Sequence, residues 1–220
     1  ADVIEDQKAI LKKHDLPADA FGLYVDEWGM WVDQDEATDP PALYQQGSIR
    51  DAIVAGLNLN LFHAHADVVK MTNIAQMVNV LQAMILTDGP DMVLTPTYHV
   101  FDMYQPFMSA EALEMNLQSP DYVFGDVTVP AISASAARTE DSRIVLALVN
   151  ASAHDDHLVD ASAFGASKAT GRILQGEEMD SHNTFDAPDR VQPAPYIVDG
   201  TADDLVLSIP ARSVVVVTLD

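Results

Sequence analysis

The spacing of apolar residues changes character near the middle of the chain. Before about residue 105 they recur at helical intervals, interrupted by short continuous apolar runs. After it they fall in short β-branched runs divided by turn residues. Residues 2–14 carry Val3, Ile4, Ile10 and Leu11 on one side, acids early and Lys12, Lys13 and His14 late. That pattern predicts an amphipathic helix oriented as its dipole favours. Residues 22–26 form an apolar run rich in β-formers, which predicts a strand buried on both faces. Residues 43–66 predict one long helix with Ile49, Ile53, Leu57 and Leu61 as its stripe. Val68, Val69 and Met71 open a second strand, Thr87-Asp88-Gly89-Pro90 predicts a turn, and residues 96–108 are helical until Pro106. Helix, loop, strand, helix, strand is an α/β rhythm.

The second half predicts strands at residues 122–129, 132–138, 143–150, 157–161, 169–174, 205–209 and 213–219. Short strands without intervening helices predict an antiparallel sandwich or barrel. Residues 182–195 hold too much Pro and Asp for a central strand and read as a loop. Aromatics in this half, Tyr122, Phe124, Phe164, Phe185 and Tyr196, are scattered, which predicts core packing rather than a sugar-stacking row.

Composition narrows the picture. The 220 residues suit one large or two modest domains. A formal net charge of −23 disfavours nucleic acid and anionic membranes as partners. The acids are spread along the chain, which predicts a solvated acidic surface. Cysteine is absent, so disulfides and thiolate metal sites are excluded, and a reducing compartment fits. No apolar run has the length of a bilayer span, and the opening residues carry no secretion-signal pattern.

Candidate chemistry gathers where the first strand stops, at Asp26-Glu27-Trp28-Gly29. An acid at the C-terminal end of a buried parallel strand is where barrel enzymes place catalytic groups. Trp28 and Trp31, the only tryptophans, stand beside Glu27. Aromatic faces next to a carboxylate suit the C–H face of a sugar and exclude water. The plain alternative is a strand-end carboxylate that faces solvent or pairs with a base. The polar loop 33–41, with Asp33, Asp35 and Glu36, belongs to the same rim and reads as a flexible acidic loop. His63 and His65 are two apart and point to different faces of a helix, so they are not a chelating pair. Asn73, Gln76 and Asn79 lie among apolar neighbours. Such amides bond each other and the backbone, or else meet a polyhydroxylated ligand, with Gln76 the best placed.

Five stretches together carry a resemblance: VDEWGMW, LYQQGSIRDAIVAGLNLNLFHAHADVVKMTNIAQMVNVLQAMILTDG, TPTYHVFDMY, SHNTFDAPDRV and IPARSVVVVTL. In this order the chain resembles the C-terminal part of glycoside hydrolase family 51 α-L-arabinofuranosidases. The resemblance implies the C-terminal portion of a (β/α)8 barrel over residues 1–105 and an antiparallel β-sandwich over residues 106–220. It implies that Glu27 is the catalytic nucleophile, that Trp28 and Trp31 wall the pocket, and that Gln76 contacts the arabinofuranosyl ring. Gly29 stands where many members carry Asn. The implied activity is release of terminal arabinofuranose from arabinan- or arabinoxylan-type oligosaccharides with retention, without metal or cofactor, in the bacterial cytoplasm.

The family's acid/base is a Glu that follows an Asn, and this sequence contains no Asn-Glu pair. Asp26, Asp67 and Asp88 are poor substitutes by their expected placement. The expectation is a C-terminal piece of a longer enzyme, holding about the last two barrel strands. Their open edge predicts association with the missing N-terminal part or with other copies, as a homo-oligomer. The competing expectation is a non-catalytic β-sandwich module that binds carbohydrate or braces a neighbour.

Overall fold

The structure is a computed structural model that describes residues 2–17, 20–32 and 45–220. Helix α1 (Asp2–Lys13) leads to strand β1 (Leu23–Trp28), helix α2 (Ile49–Ala64) and strand β2 (Val69–Ile74). The two strands pair in parallel, with Leu23 opposite Val69 and Trp28 opposite Ile74. Two sequence expectations need correction here. Strand β1 is not buried on both faces, because Tyr24 is 60% exposed and Asp26 and Glu27 also face outward. Among the described residues it has one strand neighbour and one covered face. Helix α2 begins at Ile49 rather than at residue 43. The extended backbone of Ser48 stops it there, and the Asp51 carboxylate accepts from the Ser48 N–H at 2.9 Å. Residues 43–44 and the predicted acidic loop 33–41 lie outside the described residues.

Strands β3 (Ile85–Asp88) and β4 (Asp91–Leu94) form a hairpin around Gly89-Pro90, so the predicted turn joins two strands. Helix α3 (Pro96–Met103) follows, with Pro at its start where no N–H is needed. Next come β5 (Glu111–Leu113), β6 (Asp121–Phe124) and β7 (Val127–Pro130). The single strand expected at 122–129 is therefore a hairpin, folded back at Gly125, whose φ is +57°. Strands β8 (Ile132–Arg138), β9 (Ile144–Asn150), β10 (His157–Asp160) and β11 (Lys168–Gln175) fall close to the predicted runs. Strand β12 (Ala194–Asp199) emerges from the expected loop. It lies at a sheet edge, where Pro195 is tolerated. Strands β13 (Val206–Ile209) and β14 (Ser213–Leu219) complete the chain.

The main sheet has six strands in the order β12-β11-β14-β9-β8-β5, with antiparallel pairing throughout. Its two faces are covered by different layers. Val214 and Val216 of β14 turn toward Ile49 and Ala52 of α2 and Val100 of α3. Val215 and Val217 turn toward Val159, Leu207 and Ile209 of the two-stranded β10-β13 sheet. A strand covered on both sides reads as an unbroken apolar run, which is what 214–217 show. The second layer of the sandwich is thus short, and helices from the first half of the chain take the other face. Of the scattered aromatics, Phe164 and Tyr196 join the core, whereas Phe124 is 78% and Phe185 44% exposed, contrary to expectation.

The helix layer is also tied to the sheet by polar contacts. Arg172 of β11 donates to the Asp102 carboxylate of α3 at 2.6 Å. A smaller cluster of Ile4, Phe62, Val68 and Val69 holds α1 and β2 against α2. Among the described residues, no helix is long and apolar enough to cross a membrane.

Candidate functional site

Strands β1 and β2 finish side by side, and their ends are stitched together. The Ala75 N–H donates to the Trp28 carbonyl at 3.0 Å. The Gln82 amide, 4% exposed, donates to the Ala75 carbonyl and reaches the Trp28 carbonyl at 3.5 Å. Gly29 sits directly against it. Its φ is +150°, and a Cβ there would overlap the Gln82 side-chain amide. Both facts require glycine.

These strand ends frame an open hollow of about 350 Å³, lined by Glu27, Trp28, Gly29, Trp31, Ala75 and Gln82, with Leu81. Glu27 is the one carboxylate among the described residues that lines it. Its side chain is exposed. Trp31 is 65% exposed at the rim. Trp28 has two tasks. Besides lining the hollow, its ring stacks on Phe101 at 5.9 Å and meets the edge of Phe62 at 5.3 Å. It therefore anchors the end of β1 to both α2 and α3.

Gln76 is exposed one residue beyond Ala75, and the described wall of the hollow does not include it. Asn79 bonds Thr87 on β3 through both ends of its amide, at 2.9 and 2.7 Å, so that amide is structural. His63 and His65 part company as expected. The first bonds Ser135 at 2.9 Å, and the second faces Glu5 at 3.4 Å. Asp67 pairs with Lys8 at 3.1 Å, away from the hollow.

One residue in the wall of the hollow was not apparent as such in the sequence pattern: Gln82. For Gln82 a signal exists. It is a lone amide between Leu81 and Ala83, both buried, and a buried amide must find partners.

The fold and the hollow define a mixed α/β, mostly sheet domain that carries an aromatic-flanked carboxylate at the end of a parallel strand pair. Residues 26–213 match the family model described as the alpha-L-arabinofuranosidase C-terminal domain, and the chain belongs to that family. It is 40% identical to the intracellular exo-alpha-L-arabinofuranosidase of Bacteroides ovatus, over 99% of this chain and 43% of that protein. It superposes on the GH51 arabinofuranosidase of Xanthomonas axonopodis pv. citri with a TM-score of 0.92 at 42% identity, covering 100% of this chain and 45% of that one. The thermostable GH51 alpha-L-arabinofuranosidase of Thermotoga petrophila shares the fold at a TM-score of 0.77 and 23% identity, over 90% of this chain and 43% of that one. The chain thus spans less than half the length of these relatives.

Proposed function

We propose that this chain is the C-terminal portion of a retaining α-L-arabinofuranosidase and that it supplies the nucleophile, Glu27. The observation that carries the reading is the position of Glu27: an exposed carboxylate at the end of a parallel strand, inside a hollow flanked by both tryptophans. The relative from Bacteroides ovatus carries that activity in its name, and we assign this chain the same activity and the same intracellular setting. The substrate class is an oligosaccharide of arabinan or arabinoxylan type with a terminal arabinofuranosyl group.

Retaining hydrolysis uses two carboxyl groups about 5 Å apart. In this reading Glu27 attacks the anomeric carbon, and an acid from the part of the enzyme outside this chain protonates the leaving oxygen. The same acid then activates water to release the sugar. The chemistry asks for these carboxyl groups and water. Trp28 and Trp31 wall the pocket, and Gln76 turns to the ring once the site is complete. Residues 1–105 are the last units of a (β/α)8 barrel, and residues 106–220 are the β-sandwich that braces them.

The open strand pair supports this arrangement. A two-stranded parallel sheet is not a self-sufficient unit. Tyr24 on β1 and Met71 on β2 are 60% and 47% exposed, as residues awaiting further barrel strands would be. The contacts between α2, α3 and the main sheet favour a bracing role for the sandwich over sugar binding. The reading is tested by Glu27→Gln in the intact enzyme. Hydrolysis of an aryl arabinofuranoside should fall by at least about three orders of magnitude, and unchanged hydrolysis would refute it.

A further inference from the structure

One side chain holds the segment that carries Trp31. Gln45 is 5% exposed. Its Oε1 accepts from the Val32 N–H at 3.0 Å, and its Nε2 donates to the Met30 carbonyl at 3.0 Å. These bonds flank Trp31, so the amide grips the backbone on both sides of that ring, as a neighbouring strand would. The remaining Nε2 hydrogen goes to Asp51 Oδ1 at 3.0 Å.

Asp51 is 3% exposed, and its other oxygen is also engaged. That oxygen accepts from the Ser48 N–H at 2.9 Å, the Ser48 hydroxyl at 3.0 Å and the Arg50 guanidinium at 3.1 Å. The carboxylate sits in the first turn of α2, where the helix dipole favours negative charge. Ile49 and Ala52, beside it in sequence, are buried in the core under the main sheet. A continuous line of contacts therefore runs from the sheet through α2, Asp51 and Gln45 to the backbone of Met30 and Val32, on either side of Trp31.

We propose that Gln45 and Asp51 are positioning residues that set where Trp31 stands beside Glu27, and so govern how tightly the sugar is held. This rests on reading the hollow as a glycosyl site. Only an amide of this length satisfies the three partners at once. A carboxylate at 45 cannot donate to the Met30 carbonyl and repels Asp51, and an apolar side chain leaves all three unpaired.

A double-mutant cycle in the intact enzyme tests this, using an aryl arabinofuranoside, with Glu27→Gln as the control for the site itself. Gln45→Glu, close to the natural side chain in shape, should raise KM roughly tenfold with kcat changed less than about threefold. In a Trp31→Ala background the same substitution should change KM less than about twofold. Asp51→Asn should repeat the pattern more weakly. Equal effects of Gln45→Glu with and without Trp31 would overturn the proposal, even where Glu27→Gln abolishes activity. An active Glu27→Gln enzyme would instead sink the reading of the site. If Gln45→Glu does not fold, Gln45→Leu is taken through the same cycle. Failure of both to fold, with Asp51→Asn folded and unchanged in KM, also overturns it.

Discussion

The imidazole of His63 and the hydroxyl of Ser135 lie 2.9 Å apart, and the bond runs from ring to hydroxyl. Ser135 already donates its one hydrogen to Asn60 Oδ1 at 2.7 Å, so it accepts from His63 Nδ1. His63 therefore carries a proton on Nδ1. Burial against α3 and the sheet lowers its pKa from 6.5 to about 4.

Acid should loosen the fold between these two values. The unfolded chain takes up a proton below pH 6.5, whereas folded His63 resists until about pH 4. Its stabilising contribution is complete above 6.5 and is lost as the pH falls to about 4, by at most about 3 kcal/mol. His99, also lowered chiefly by burial, adds in the same direction. Denaturant midpoints measured from pH 7.5 to 4 should fall, and His63→Phe, which keeps the stack on Phe107, should flatten the decline. Parallel slopes would show that His63 contributes nothing to it.

Tyr104 supplies the other hydrogen that Asn60 Oδ1 receives, at 2.9 Å. The phenol is buried, which pushes its pKa well up and keeps it a donor. Tyr104→Phe should destabilise by about 1–2 kcal/mol, since Asn60 keeps one of its two donors. Equilibrium unfolding at pH 7 gives the value.

Gly29→Ala should damage the site more than the fold. The new methyl would displace the Gln82 amide from the joined ends of β1 and β2. A shift of about 1 Å in Glu27 lowers kcat/KM roughly a hundredfold. Kinetics on the intact enzyme should show that loss, while the strain of Ala at a φ of +150° should cost the fold only about 1–3 kcal/mol.

Much of this architecture was legible in the sequence, for identifiable reasons. The β-branched run at 213–219 announces a strand, and β14 is one. The acids and lysines of α1 fix its direction and its end. What stayed hidden depends on contacts distant in sequence. The turn at Gly125-Asp126 did carry a local signal, a Gly-Asp pair between two β-branched runs, and reading Val123 and Val127 as one strand passed over it. Pro195 argues against a strand unless the sheet order is known, and β12 is an edge. At the site, Glu27, Trp28 and Trp31 line one hollow, and the amide in its wall is Gln82. The exposure of β1 was missed because an apolar run is read as buried whether or not its neighbours are present.

Residues 1–220 by themselves should not hydrolyse an aryl arabinofuranoside. Among the described residues the hollow holds one carboxylate, and the retaining reaction needs two. Adding the purified remainder of the enzyme should restore turnover. Glu27-dependent turnover by the isolated chain would place the acid within it.

The most direct test is to trap the glycosyl-enzyme ester. The intact enzyme is treated with an arabinofuranose-configured mechanism-based inactivator, digested and mapped by mass spectrometry. The account predicts one sugar per active site, on the peptide that contains Glu27, and none after Glu27→Gln. A sugar attached to a different carboxylate, with Glu27 unmodified, would contradict it.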